Sequence, residues 1–245
     1  MKVIGIIPAR YGSSRFPGKP LARLGDRPVV VHTWRAAAGV LGKEYVWIAT
    51  DDSRIAETAH AYKAPVIMTR NDHPSGTSRV AEAAARLNLQ VDGVINIQGD
   101  EPFVAAGELE ALLDCMRQGA DIATLVEPME HPVSGPDDPN RVKCVRAADG
   151  RALYFSRALI PYQREATGKP PARWRHLGLY AYRAEVLKAL VQLTPDPLEA
   201  AEQLEQLRWL SHGYTIQTAA VPARHRISID TPADLEAARR YLSSS

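Results

Sequence analysis

The sequence predicts an α/β fold: a mostly parallel, doubly wound sheet with a partly antiparallel inserted sub-region. Three observations carry this. Short apolar runs alternate with helix-length amphipathic segments through the first half of the chain, the order in which crossover helices cover both faces of a parallel sheet. The first run, Val-Ile-Gly-Ile-Ile at 3–7, is nearly continuous in apolar residues, as suits a strand buried on both faces. From residue 122 onward the alternation lapses, and Pro-rich stretches separate strand-like segments.

The strand at 3–7 is followed by a loop over 8–25 and a helix over 28–39, with Pro28 in the first turn, where its fixed φ is favourable. Strands follow at 45–50, 65–68 and 91–98, and helices at 52–61, 77–87 and 105–116. Asp51 and Asp52 close the second strand and read as caps of the helix after it. Further strands are expected at 122–126, 142–146 and 153–156, with the Pro-rich stretch 128–139 among them. Residues 157–175 carry Pro161, Gly168, Pro170 and Pro171 and read as a long mobile loop. An alternating strand at 176–182, helices at 184–191 and 199–211, strands at 215–221 and 226–229, and a helix at 232–242 complete the pattern. Thr231 is the expected N-cap of that last helix, with Asp234 three residues on as in a capping box. With no internal repeat, residues 1–245 read as one domain with a sub-region at about 128–182.

The chain is 45% hydrophobic and 24% charged, near the globular average, which argues against collagen, coiled coil and extended disorder. Against 30 basic residues stand 28 acidic ones, a formal charge of +2 without a dense basic tract, so no nucleic-acid partner is expected. No uncharged apolar run approaches the ~20 residues of a membrane span. The N-terminal run is broken by Arg10 without a cleavage-like end, and the expected setting is the cytoplasm, with no membrane partner. Cys115 and Cys144 are too few for a disulfide framework or a Cys-rich zinc site and are expected to pack in the core.

The loop after the first strand, Pro-Ala-Arg-Tyr-Gly-Ser-Ser-Arg-Phe-Pro-Gly-Lys-Pro at 8–20, carries Arg10, Arg15 and Lys19 and no acid. Gly12 and Gly18 let the backbone approach a ligand, and Ser13 and Ser14 add hydroxyl donors. Cations and exposed N–H groups at the carboxyl end of a parallel strand suit a polyphosphate. The loop is not a Walker A motif, since five residues separate Gly12 from Gly18 and Pro20 follows Lys19. The Gly spacing of a dinucleotide fingerprint is missing as well. With no hydroxyl residue after Lys19, any metal must be bound elsewhere.

Two acids end strands. Ile-Asn-Ile-Gln-Gly-Asp at 95–100 places Asp100 after one, and Ile-Ser-Ile-Asp at 227–230 places Asp230 after another. If both strands run parallel in one sheet, both carboxylates face the crevice of the first loop and make a magnesium site with phosphates and waters. Taken singly, Asp100 also fits a turn, with Glu101 its competitor as ligand. Asp230 fits a helix N-terminus, where the dipole alone favours a carboxylate. No Asp-x-Asp occurs in the chain, which weighs against a sugar-transferring enzyme that grips its nucleotide-sugar through that motif.

The opening loop, Met68-Thr-Arg, Ser75-Gly-Thr with Arg79, Gln98-Gly-Asp-Glu-Pro, Leu153-Tyr-Phe-Ser-Arg, Arg175-His-Leu-Gly, Leu204-Glu-Gln-Leu-Arg and Asp230-Thr-Pro occur in that order. The set closely resembles the 3-deoxy-manno-octulosonate (Kdo) cytidylyltransferase family over essentially the whole chain. The resemblance implies a Rossmann-like nucleotidyltransferase sheet, CTP and Kdo as substrates, CMP-Kdo and pyrophosphate as products, magnesium as cofactor, a homodimer and a place in lipopolysaccharide synthesis. It implies that Arg10, Arg15 and Lys19 hold the triphosphate and that Asp100 and Asp230 hold the metal. Ala9, Met68, Thr69, Ser75, Gly76, Thr77 and Gln98 would line the nucleotide site. Arg157, His176, Tyr180, Glu205 and Gln206 would bind the sugar acid with Arg79 near the junction, and the 128–182 sub-region would add sugar and dimer contacts. The chain departs from its relatives at Ser78, where an acid is common, and at Trp174, where a smaller apolar residue is usual.

By their own chemistry the sugar-side residues leave alternatives open. Arg157 offers a planar fork for a carboxylate, or is a surface arginine after a strand. His176 and Tyr180, four apart, share a face of an alternating strand, as hydrogen-bond partners of hydroxyls or as a half-buried pair. Glu205 and Gln206 lie within an expected amphipathic helix, where solvated polar residues are usual. Two other functions fit the same pattern: a cytidylyltransferase for another 2-keto sugar acid (a sialic acid or amino-Kdo), and a non-catalytic nucleotide-binding regulator.

Overall fold

A computed structural model describes residues 1–12, 15–129, 138–164, 171–224 and 226–244. Ser13 and Ser14 of the first loop, most of the Pro-rich 128–139 stretch, and Gly168 and Pro170 of the 157–175 loop lie outside these residues. The chain divides into two compact units, Met1–Glu110 with His225–Ser245, and Ala111–Arg224. The sub-region expected at about 128–182 falls inside the second, which is larger than the sequence suggested.

In the first unit, β1 (Val3–Ala9), β4 (Val46–Thr50), β5 (Val66–Met68) and β6 (Gly93–Asn96) form a parallel array in the order β6-β1-β4-β5. The residues Ile4, Ile6 and Ile7 of β1 are fully buried, as its unbroken apolar run requires. The short strands β2 (Arg23–Leu24) and β3 (Arg27–Pro28) make a small hairpin. The helices α1 (Val29–Leu41), α2 (Ser53–Ala61) and α3 (Gly76–Leu87) follow their strands, and α4 (Ala106–Arg117) starts in this unit and ends in the second. Asp52 caps α2, its side chain accepting the Arg54 N–H at 3.0 Å. Asp51 does not cap; it faces Arg79 at 2.8 Å. Ser75 caps α3, and Ser78 closes the reciprocal box through its own hydroxyl, so a serine in place of the usual Glu or Gln still satisfies the helix start.

The second unit holds β7 (Ile122–Pro128), β8 (Lys143–Arg146), β9 (Ala152–Ser156), β10 (Trp174–Arg183) and β11 (Ile216–Ala220). β11 runs parallel to β7, while β7–β10, β10–β8 and β8–β9 are antiparallel. The mixture matches the partly antiparallel region expected here. Three helices accompany it: α5 (Ala184–Leu190), α6 (Pro197–Glu202) and α7 (Glu205–Ser211). The single helix expected at 199–211 is broken at Gln203, which takes the left-handed conformation at φ 52. Glu205 and Gln206 therefore stand in the first turn of α7, not in mid-helix. Trp174 receives the Arg146 guanidinium over its ring at 4.7 Å. Cys115 and Cys144 are buried free thiols, and burial pushes Cys144 up to about 12.

The strand expected at 226–229 does not form. A backbone bond ties it to the 100 region, from the Ile229 N–H to the Asp100 carbonyl at 3.0 Å. Two buried isoleucines hold it instead: Ile227 and Ile229 pack with Leu24, Val29, Leu235 and Ala238. A buried ion pair between Arg226 and Glu108 anchors its start. Then α8 (Pro232–Ser244) begins, with the expected cap: Asp234 accepts the Asp230 and Thr231 amides at 3.1 and 2.8 Å, and its own N–H reaches the Thr231 hydroxyl at 3.3 Å.

Candidate active site

The end of β1 leads into the cationic loop. Gly18 turns it in the left-handed region, at φ +73, and its N–H donates to the Tyr11 carbonyl at 2.9 Å. A Cβ there would meet the Tyr11 ring at 3.2 Å, on top of the strained φ, so the turn favours glycine twice over. The tightened turn delivers Lys19 at the start of a 3-10 turn, Lys19–Leu21.

Lys19 Nζ lies 2.7 Å from Asp100 Oδ2 and 3.2 Å from Asp230 Oδ1. Arg15, more exposed, approaches Asp230 at 3.4 Å. The two carboxylates thus converge within reach of one cation, although one follows β6 by a few residues and the other precedes α8. Gly99 makes the closeness possible on the β6 side: a Cβ at that position would lie 2.9 Å from the Pro8 carbonyl oxygen.

These groups line a cavity of about 330 Å³ in the first unit. Ala9, Arg10, Arg15, Lys19, Ser75, Gly76, Gln98, Asp100 and Asp230 line it, as expected from the sequence, and so does Arg79, which was placed on the sugar side. Met68, Thr69 and Thr77 are not among the lining residues. Met68 is half exposed, while Thr69 and Thr77 are buried. The hydroxyl of Thr69 accepts from Arg79 at 2.6 Å; with the Asp51 contact, this fixes the Arg79 side chain at the cavity.

His73 and Pro74 also line the cavity and were not anticipated. The His73 ring is wedged between two groups, with Nδ1 at 3.1 Å from the Ser78 hydroxyl and Nε2 against the Glu82 carboxylate, which props the wall that leads into α3. A lone histidine before a proline offered no signal, because both of its partners lie on the helix that follows.

The other expected residues, Arg157, His176, Tyr180, Glu205 and Gln206, belong to the second unit. The register of β10 shifts between Leu177 and Tyr180. Since His176 opposes Val126 and Tyr180 opposes Thr124, the irregularity takes up an even number of residues and both side chains keep one face. Their rings lie 5.4 Å apart, centroid to centroid. His176 Nε2 is 3.1 Å from the Thr124 hydroxyl. Burial, and secondarily the neighbouring Arg175, lower the His176 imidazole to about 3, so it is neutral near pH 7. Burial likewise raises the Tyr180 phenol well above its ordinary value. Gln206 Nε2 is buried without a hydrogen-bond partner among the described residues, the condition in which a ligand's hydroxyl would be welcome. Glu205 pairs with Arg208 at 3.3 Å. The Arg157 guanidinium donates to the carbonyls of Pro139, Glu202 and Gln203.

A hard divalent cation fits the first-unit site. The Lys19 ammonium already stands where positive charge is wanted, bridging two carboxylates. Magnesium is commonly held by one or two carboxylates, with phosphate and water oxygens completing the set. Arg10, Arg15 and Lys19 line the same cavity and would supply the countercharge for such phosphates.

Comparisons with known proteins show the family. The cytidylyltransferase family model matches residues 4–217. A 3-deoxy-manno-octulosonate cytidylyltransferase of Phocaeicola vulgatus is 46% identical over 99% of this chain and 98% of its own length. One of Methylococcus capsulatus is also 46% identical, over 97% and 96%. Among solved structures, a CMP:2-keto-3-deoxy-manno-octonic acid synthetase complexed with CTP superposes with a TM-score of 0.93 at 41% identity, covering 100% of this chain and 99% of that one.

Proposed function

Since the chain belongs to the 3-deoxy-manno-octulosonate cytidylyltransferase family, we propose that it transfers the cytidylyl group of CTP to Kdo, giving CMP-Kdo and pyrophosphate. The observation that carries this reading is the convergence of Asp100 and Asp230 on Lys19 beside the cationic loop. The anomeric hydroxyl of Kdo attacks the α-phosphorus, the new P–O bond forms as the bond to the β-phosphate breaks, and the hydroxyl proton passes to solvent. Attack on an anionic phosphate needs alignment and charge neutralisation more than covalent help.

Arg10 and Arg15 neutralise the triphosphate, and Lys19 stabilises charge on the departing pyrophosphate. Asp100 and Asp230 would hold magnesium, which when bound polarises the α-phosphate and lowers the pKa of a coordinated hydroxyl. No protein side chain is assigned as general base. Ala9, Ser75, Gly76 and Gln98 line the nucleotide cavity. Arg157 meets the sugar acid's carboxylate, and His176, Tyr180, Glu205 and Gln206 meet its hydroxyls. The protein works as a cytoplasmic homodimer, and its product feeds lipopolysaccharide synthesis.

The test is pyrophosphate release with CTP or UTP, each with and without Kdo, and with a sialic acid or amino-Kdo as alternative acceptors. Release that requires both CTP and Kdo is expected. Preference for another sugar acid would overturn the choice of acceptor, and CTP binding without release would make the protein a nucleotide-binding regulator.

A further inference from the structure

Building on the reading that Arg157 meets the sugar acid's carboxylate, we propose that Glu202 is a positioning residue for the same reaction: it touches no substrate and sets the guanidinium of Arg157.

Arg157 is held from both ends by one residue. Glu202 Oε2 accepts the Arg157 backbone N–H at 2.9 Å, and Oε1 accepts the hydroxyl of Ser156 at 2.6 Å. In return, Arg157 Nε donates to the Glu202 carbonyl at 2.7 Å. The side chain of Glu202 thus fixes the backbone of Arg157, while its backbone fixes the Arg157 side chain. Two further bonds complete the clamp, Nη1 to the Pro139 carbonyl at 2.9 Å and Nη2 to the Gln203 carbonyl at 3.3 Å. Lys143, fully buried, donates to the Arg157 carbonyl at 2.5 Å and to that of Asp138 at 3.0 Å.

The reason this cluster forms lies in the helix break. Because α6 stops at Glu202 and Gln203 turns left-handed, the carbonyls there lack the partners a continuing helix would give them. A basic side chain near a helix C-terminus satisfies such carbonyls, and Arg157 does so. A guanidinium has five N–H donors, and three are committed to carbonyls. One hydrogen on each Nη is left to donate to the oxygens of a carboxylate. A fork held before its ligand arrives avoids the entropic cost of freezing a long side chain at binding.

The experiment is steady-state pyrophosphate release by the full-length protein with magnesium. Kdo is varied at saturating CTP and CTP at saturating Kdo, for wild type, Glu202→Gln, Arg157→Ala and the double variant, with melting temperatures measured alongside. Glu202→Gln should raise the KM for Kdo about tenfold, the size expected for a hydrogen bond to a charged group. The KM for CTP and kcat should stay near wild type, and the double variant should be no worse than Arg157→Ala, since the two act as one unit. If Glu202→Gln does not fold, Glu202→Asp, which keeps the charge and shortens the reach, carries the same comparison. An unchanged KM for Kdo in the Glu202 variant, equal losses for both substrates, or additive losses in the double variant would overturn the proposal. So would an Arg157→Ala variant with unchanged KM for Kdo. A wild-type protein without Kdo-dependent release is a separate failure, that of the proposed reaction itself.

Discussion

The Ile229 amide donates to the Asp100 carbonyl at 3.0 Å, and that bond joins the two halves of the candidate metal site. It aligns the residue after Ile229 with the residue that accepts the bond, so Asp230 and Asp100 both reach Lys19. The hydrogen bond is backbone to backbone, and the chemistry it serves is carried by the side chains beside it.

Asp100→Asn and Asp230→Asn should each raise the magnesium needed for half-maximal activity by at least ~10-fold, because loss of even an outer-shell partner of a metal ligand costs 10–100-fold. Each amide keeps the shape and removes the ionised oxygen. Titration of activity with magnesium, checked by manganese binding, measures it; a metal response like wild type in either variant would separate that aspartate from the metal.

Lys19→Ala should lower kcat at least ~10-fold, since a charge-assisted hydrogen bond contributes about 1.5–3 kcal/mol. The ammonium is well placed for this, being mostly buried and already within 2.7 Å of Asp100. Single-turnover pyrophosphate release reads the chemical step directly, and an unchanged rate would remove Lys19 from it.

The buried pair of Arg226 and Glu108, with side chains 5% and 3% exposed, anchors the segment that ends in Asp230. Removing one partner of such a pair costs about 3–5 kcal/mol. Glu108→Ala should lower urea stability by that order and, if the protein still folds, should also raise the magnesium requirement. Stability loss without any effect on metal response would show that the anchor serves folding alone.

Acid should destabilise the protein through His176. Its imidazole is lowered from 6.5 to about 3 by burial, so between these values the unfolded chain binds a proton that the folded chain does not. The favourable difference is present above about pH 6.5 and is lost as pH falls toward 3, at up to about 1.4 kcal/mol per pH unit. Urea unfolding from pH 7 to 5 should show a shallower fall for His176→Gln than for wild type, and parallel curves would reject the assignment.

Much of the fold was legible from the chain. The apolar run of β1 needed two covered faces, and Asp52 and Thr231 began helices as their side-chain oxygens dictate. The basic loop and both aspartates were identified individually as chemical groups. The strand at 226–229 was misread because its alternating isoleucines pack into a core without pairing in a ladder. The helix at 199–211 was misread because Gln203 breaks it where long-range donors from Arg157 satisfy the freed carbonyls. His73 and Glu202 gave no local signal at all.

The sequence by itself determined which residues could carry charge, turn the backbone or begin a helix, since these are properties of a side chain and its near neighbours. Only the tertiary structure decided that Asp230 stands beside Asp100, that Arg79 turns to Asp51, and that Arg157 is clamped by Glu202. Those outcomes depend on distances between residues far apart along the chain, and such distances are set by packing of the whole core, which no local pattern encodes.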